Sequence, residues 1–186
     1  DIPPDVRLQH AGTICFVFRA EKDVVSSDFG NVEVYVGRRA KEKCFFVPGG
    51  KAEPVDLRSS RRCATRELKG ESNMVVAPTE WKECWSDLSG EQAQGSRKYL
   101  KDFMVSLPEQ RTRRAAKGTY PQKKPGHTDL QWMSVCEALA LPESSTVFEF
   151  QRRLKLALEC LRDHPEPQVL DPETQIFRGD PAWLDK

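Results

Sequence analysis

The 186-residue chain carries 29 basic and 28 acidic side chains, a net charge of +1, and is 38% hydrophobic and 31% charged. That length suits one self-sufficient core, which would bury about 70% of the unfolded surface. No apolar run reaches the roughly 18 residues that a membrane-spanning helix needs, so no membrane segment is expected. Recurring blocks of Leu, Val, Phe and Trp exclude a fully disordered chain. With charge so evenly balanced, an anionic partner has to be met by a local patch. The six cysteines form no C-x-x-C pair and the three histidines lie far apart, so a zinc-finger spacing is absent. Cysteines inside runs such as ICFVF and KCFFV read as buried, reduced thiols of an intracellular protein. The first residue is Asp, so a preceding targeting segment is not readable.

In chain order, prolines cluster in segments 1–10 and 165–186, which predicts an extended N-terminal arm and a proline-rich C-terminal arm around a domain of residues 11–164. Residues 13–18 (TICFVF) predict a buried strand. A turn cluster at 26–31 leads to the alternating strand 32–36 (VEVYV). Residues 44–47 form a short strand stopped by Pro48-Gly49-Gly50. Helical spacing of Cys63, Ala64, Glu67 and Leu68 predicts a helix from 56 to about 70, with Asp56 as N-cap. Strands are predicted at 74–77, 81–88, 99–107 and 131–134, with a long loop over 109–128. The stripe Val147, Phe150, Leu154, Leu158 and Leu161 predicts a last helix capped by Ser144 or Ser145. This order of strands and helices predicts an α/β protein: a mixed β-sheet sandwiched by helices.

Residues 44–74 carry the chemistry. A strand runs into Gly49-Gly50, a loop follows, and then a helix bears Arg66, Glu67 and Glu71. Glu67 and Glu71 are four apart and share one helix face. Two carboxylates there either hold a hard divalent cation or are solvated charges pairing with Arg62, Arg66 or Lys69. Gly49 and Gly50 lack Cβ atoms, so backbone can approach a ligand and offer a carbonyl. A second feature is the 111–124 segment, with six cations (Arg111, Arg113, Arg114, Lys117, Lys123, Lys124) and no acid. It reads either as a phosphate- or RNA-directed patch or as a solvated surface loop. Among the aromatics, Trp81, Trp85, Tyr99, Phe103 and Trp132 are candidate base platforms, with packing the plainer role for most.

The 44–74 segment resembles the Nudix box. That pattern runs Gly, five residues, Glu, seven residues, Arg-Glu, an aliphatic, any residue, Glu-Glu, any residue, Gly, an aliphatic. Here Gly50 is followed by five residues and Asp56, and nine residues separate Asp56 from Arg66-Glu67. Leu68 fills the aliphatic position, Gly70-Glu71 stands for Glu-Glu, and Asn73-Met74 for the last pair. The resemblance implies a Nudix-type α/β/α sandwich over roughly residues 11–164. It also implies Mg²⁺ or Mn²⁺ held by Gly50, Glu67 and Glu71, with Glu67 and Glu71 catalytic and Asp56 pairing with Arg66 in support. Lys51, Arg111, Arg113, Arg114 and Lys117 become candidate substrate contacts. The implied activity is a metal-dependent pyrophosphohydrolase on a nucleoside diphosphate-linked substrate, with the 5′ phosphate end of RNA favoured by the basic segment. Gly70 removes one expected carboxylate, which points alternatively to a weakened or inactive RNA-binding subunit. Nudix-like domains of that kind occur in mitochondrial ribosomes and RNA-processing complexes, with the C-terminal arm as the place for a protein partner.

Overall fold

The computed structural model describes residues 1–20, 29–91, 97–121 and 126–163. The expected 26–31 turn lies partly outside these, and Lys123, Lys124 and the C-terminal arm lie wholly outside.

Strand β1 (Ala11–Ala20) is the centre of the sheet. Its β-branched and aromatic residues favour extended backbone and point alternately to two faces. One edge pairs in parallel with β6 (Arg97–Leu107), from Ala11↔Tyr99 to Arg19↔Leu107. The other edge is shared. Its end pairs antiparallel with β2 (Val32–Arg39), and its start with β4 (Gly49–Lys51), through Thr13↔Gly50 and Ile14↔Gly49. Strand β3 (Phe45–Phe46) and strand β7 (His127–Ser134) both pair with β2, and β5 (Lys82–Glu91) pairs with β6. Seven strands thus form one mixed sheet among the described residues, the expected α/β architecture.

Helices cover both faces. Cys15 and Val17 of β1 meet Ala64 and Leu68 of α1 (Ser60–Ser72), with Trp81 and Phe103. Ile14, Phe16 and Phe18 face the other way, against Phe150, Leu154, Leu158 and Leu161 of α4 (Phe150–Asp163). The short α2 (Glu109–Thr112) and α3 (Val135–Ala140) close the connections. No helix among the described residues is long and apolar enough to cross a membrane.

Several local expectations change. Residues 73–77 form no strand, although Met74 and Val76 are buried. Inside 109–128 lie α2 and a bridge between Gly118 and Leu130. Glu143–Ser145 is a separate 3₁₀ turn, so neither Ser144 nor Ser145 caps α4. Residues 1–10 pack on the domain: Ile2 and Val6 are buried beside Cys63 and Tyr99, and the Arg58 guanidinium donates to the Val6 carbonyl at 2.9 Å.

Candidate functional site

Helix α1 begins one turn later than the sequence suggests. Ser59 is the N-cap, its hydroxyl accepting the Arg62 N–H at 3.3 Å. Asp56 instead ends a 3₁₀ turn over Pro54–Asp56, followed by Leu57 and Arg58 in the left-handed region (φ 50° and 60°). The two left-handed residues, between Asp56 and the Ser59 cap, take up the long spacing between Asp56 and Arg66. The pairing implied by the resemblance therefore forms: Arg66 Nε and Nη2 donate to the two Asp56 carboxylate oxygens at 2.9 and 2.8 Å. Bidentate guanidinium–carboxylate pairs of this kind fix orientation as well as charge. Burial opposes ionisation of Asp56, but the Arg66 hydrogen bonds and the Glu53 amide hold its carboxyl below the usual range.

Arg66 also ties helix to sheet. Nη2 donates to the Lys51 carbonyl at 2.8 Å, and Nη1 meets Glu67 Oε1 at 2.5 Å. Glu67 thus stands against β4, so close that a Cβ on Gly50 would fall 2.4 Å from its carboxyl carbon. Burial pushes the Glu67 carboxyl up, opposed by Arg66 and aided by the like charge of Glu71. Glu71 Oε2 accepts the Gly49 N–H at 3.2 Å and lies 3.2 Å from His127 Nδ1. The Gly50 carbonyl faces the Cys63 thiol at 3.7 Å.

The two carboxylates therefore do flank the Gly49-Gly50 strand. Glu71, but not Glu67, lines a cavity of about 650 Å³ that opens beside this strand. Its lining includes Gly50, Lys51, Glu71 and His127, together with Arg39, Phe46, Phe148 and Arg153. Phe148 is 45% exposed and packs edge-on against Phe46. Among the described residues, the cations of the polar segment are not part of this wall. Arg111 pairs with Glu80 and donates to the Val75 carbonyl, while Arg113, Arg114 and Lys117 are exposed beyond the end of α1. The aromatic candidates are elsewhere too. Trp81, Tyr99 and Phe103 are core, Trp132 lies under Arg19, and Trp85 under Arg152 and Arg153.

The chemistry of the donors suits a hard divalent ion only in part. Glu67 and Glu71 offer carboxylate oxygens, and such ions complete their shell with water and phosphate oxygens. Gly70, where another carboxylate is expected, has open space around its Cα. Among the described residues, no three His, Cys, Asp or Glu side chains converge as a metal-binding group.

Solved structures share this arrangement of sheet and helices. The Nudix domain of NrtR from Shewanella oneidensis, solved with ADP ribose, superposes with a TM-score of 0.57 at 15% identity, over 86% of this chain and 92% of that one. The chain has the Nudix fold. NrtR from the same organism, solved with a 27mer DNA, matches at 0.60 and 15% identity over 83% of this chain, which spans only 63% of that one. A Caenorhabditis elegans Ap4A hydrolase binary complex matches this Nudix fold at 0.52 and 15% identity, covering 82% and 98% of the two chains. No protein-family model and no curated protein sequence matches the chain.

His127 and Phe148 escaped the sequence reading. A lone histidine after a polar loop carries no spacing signal, and it reaches Glu71 only because β7 pairs with β2. Phe148 fell within the expected last helix, whereas Phe148 and Glu149 are both left-handed (φ 54°) ahead of it.

Proposed function

We propose that this protein is a divalent-metal-dependent pyrophosphohydrolase acting on a nucleoside diphosphate linked to a further group. The observation that carries this reading is the pair Glu67 and Glu71, one helical turn apart and set against Gly49-Gly50, with Glu71 and both glycines lining a cavity of about 650 Å³. That volume falls in the range of small-molecule sites. The ADP ribose bound by the NrtR domain and the Ap4A hydrolase activity named for the nematode protein belong to the same substrate class.

In this reading Glu67 and Glu71 would hold Mg²⁺ or Mn²⁺, with Arg66 fixing Glu67 and itself held by Asp56. A bound ion would supply a more acidic water and would neutralise phosphate charge. One of the two carboxylates takes the proton as the water oxygen bonds to phosphorus. The anhydride P–O bond breaks, and the leaving phosphate departs with its electron pair. Lys51, exposed at the cavity rim, meets phosphate oxygens.

The 5′ phosphate end of RNA is the polymeric form of this substrate. Arg113, Arg114 and Lys117 would then follow the emerging backbone, and a mitochondrial RNA-processing role rests on the family resemblance alone. A second reading, a non-catalytic RNA-binding subunit, is favoured by one observation: α1 carries glycine at position 70.

Incubation with Mg²⁺ or Mn²⁺ and ADP-ribose, Ap4A or 5′-triphosphate RNA separates the two. Release of phosphate or nucleotide, abolished by Glu67→Gln and Glu71→Gln, is expected. Salt-sensitive RNA binding without release from any substrate would overturn the enzyme in favour of the subunit.

A further inference from the structure

His127 is 4% exposed, lines the cavity, and has neither ring nitrogen in a hydrogen bond. A buried imidazole left in that condition is costly, and native proteins rarely tolerate it without a ligand or functional reason. Its Nδ1 lies 3.2 Å from Glu71 Oε2, too poorly aligned to be a hydrogen bond. Two neighbouring donors on one six-coordinate ion, each about 2.1 Å from it, are themselves about 3 Å apart. The spacing of the two atoms thus fits joint ligation of one ion.

The surroundings hold both donors in place. The Gly49 amide fixes Glu71 Oε2. On the other side, a Cβ on Gly126 would lie 3.2 Å from Glu71 Oε1, so glycine before His127 leaves room for the carboxylate. On α1, Gly70 offers no side chain.

We propose that His127 is a metal ligand, its imidazole nitrogen joining Glu71 in place of the carboxylate missing at Gly70. The inference rests on the reading of Glu71 as a metal-holding residue. A nitrogen donor changes which ion the site prefers. Imidazole suits first-row transition ions, whereas Mg²⁺ takes oxygen ligands, so the site favours Mn²⁺ over Mg²⁺.

Mn²⁺ alone is the probe, added to the full chain and followed by calorimetric titration and pulsed paramagnetic resonance. Bound Mn²⁺ should show ¹⁴N modulation, replaced by ¹⁵N coupling when histidine is isotope-labelled. His127→Gln should remove the modulation and weaken Mn²⁺ about tenfold or more, with Mg²⁺ affinity changed far less. His10→Gln, at the same cavity, should leave the modulation in place. Glu71-dependent Mn²⁺ binding without nitrogen coupling overturns the His127 assignment and leaves the hydrolase reading standing. Coupling that persists in His127→Gln also overturns it. Absence of saturable Mn²⁺ binding overturns both. Because the wild-type spectrum already tests for a histidine ligand, the proposal stays falsifiable even where the variant fails to fold.

Discussion

A Cβ placed on Gly50 falls 2.4 Å from the carboxyl carbon of Glu67, and its oxygens are scarcely farther, at 2.4 and 2.7 Å. The atoms in the way are the tip of one flexible side chain. Gly50→Ala should therefore cost under about 1 kcal/mol of stability, because Glu67 can swing aside. The same movement takes the carboxylate from its place beside β4, so Mn²⁺ affinity and turnover should drop about tenfold or more. Gly49→Ala provides the contrast. There the added Cβ meets the Thr13 carbonyl oxygen at 2.2 Å, backbone that cannot yield, and a loss of about 3 kcal/mol is expected. Urea unfolding beside metal titration checks both. Equal destabilisation by the two substitutions would contradict the geometry.

Gly70 is the opposite case. It lies in the last turn of α1 with nothing within 4 Å of an added Cβ. Gly70→Ala should stabilise by about 1 kcal/mol, a Tm rise of about 2–4 °C for a chain of this size, without changing metal affinity. Gly70→Glu adds a carboxylate to the helix that already bears Glu67 and Glu71. It should tighten Mn²⁺ and Mg²⁺ binding and raise turnover above wild type. A gain in Tm with no gain in metal binding would show that position 70 does not face the ion.

Much of this site was legible because its elements rest on local rules. TICFVF is a β-branched and aromatic run, VEVYV alternates as strands do, the Phe150–Leu161 stripe has helical period, and all three lie in the expected elements. The Gly-Gly turn and the Glu67–Glu71 spacing survived an irregular box because a helix face depends on four-residue spacing alone. The errors came where tertiary contacts override local pattern. Asp56 has the chemistry of an N-cap, but Arg66 claims its carboxylate and Ser59 caps the helix. Met74 and Val76 alternate like strand residues, yet packing on Trp81 buries them without a partner strand. His127 and Phe148 reach the cavity only through chain crossings, which no short-range pattern encodes.

The Asp56–Arg66 pair makes stability sensitive to acid. Asp56 is 2% exposed at its side chain and its carboxyl is held below the usual range. A carboxylate with a depressed folded value contributes stability that is fully present above its unfolded value near 3.9. The contribution is lost as pH falls through the lower folded value. Asp56→Asn should lower stability at pH 7 by about 1–2 kcal/mol, discounted because Arg66 is 29% exposed. Once pH falls below the lowered folded value, the variant and the wild type should converge. Urea midpoints measured across this range test the sign. A gap that widens on acidification would place the stabilising charge elsewhere.

The thiols report on whether the site opens. Cys63 packs between β4 and α1, its Sγ 3.7 Å from the Gly50 carbonyl, and burial pushes it up to about 12. Cys15 is raised well above the ordinary thiol value, first by burial. Cys84 and Cys160 are also buried, Cys44 is half-buried, and Cys136 is exposed. Because the thiolate is the reactive form, only accessible thiols react near neutral pH. Titration of the native protein with an aromatic disulfide reagent should therefore modify Cys136 quickly and Cys44 slowly. The other four should wait for unfolding. Under mild denaturant, the rate at Cys63 measures separation of α1 from β4, the movement that would part Glu67 from Gly50. Bound Mn²⁺ should slow that rate, since an ion held on α1 and β7 favours the closed form by mass action. Native reaction of Cys63 at the rate of Cys136 would mean that α1 and β4 part freely, leaving the two carboxylates without a fixed position against the Gly-Gly strand.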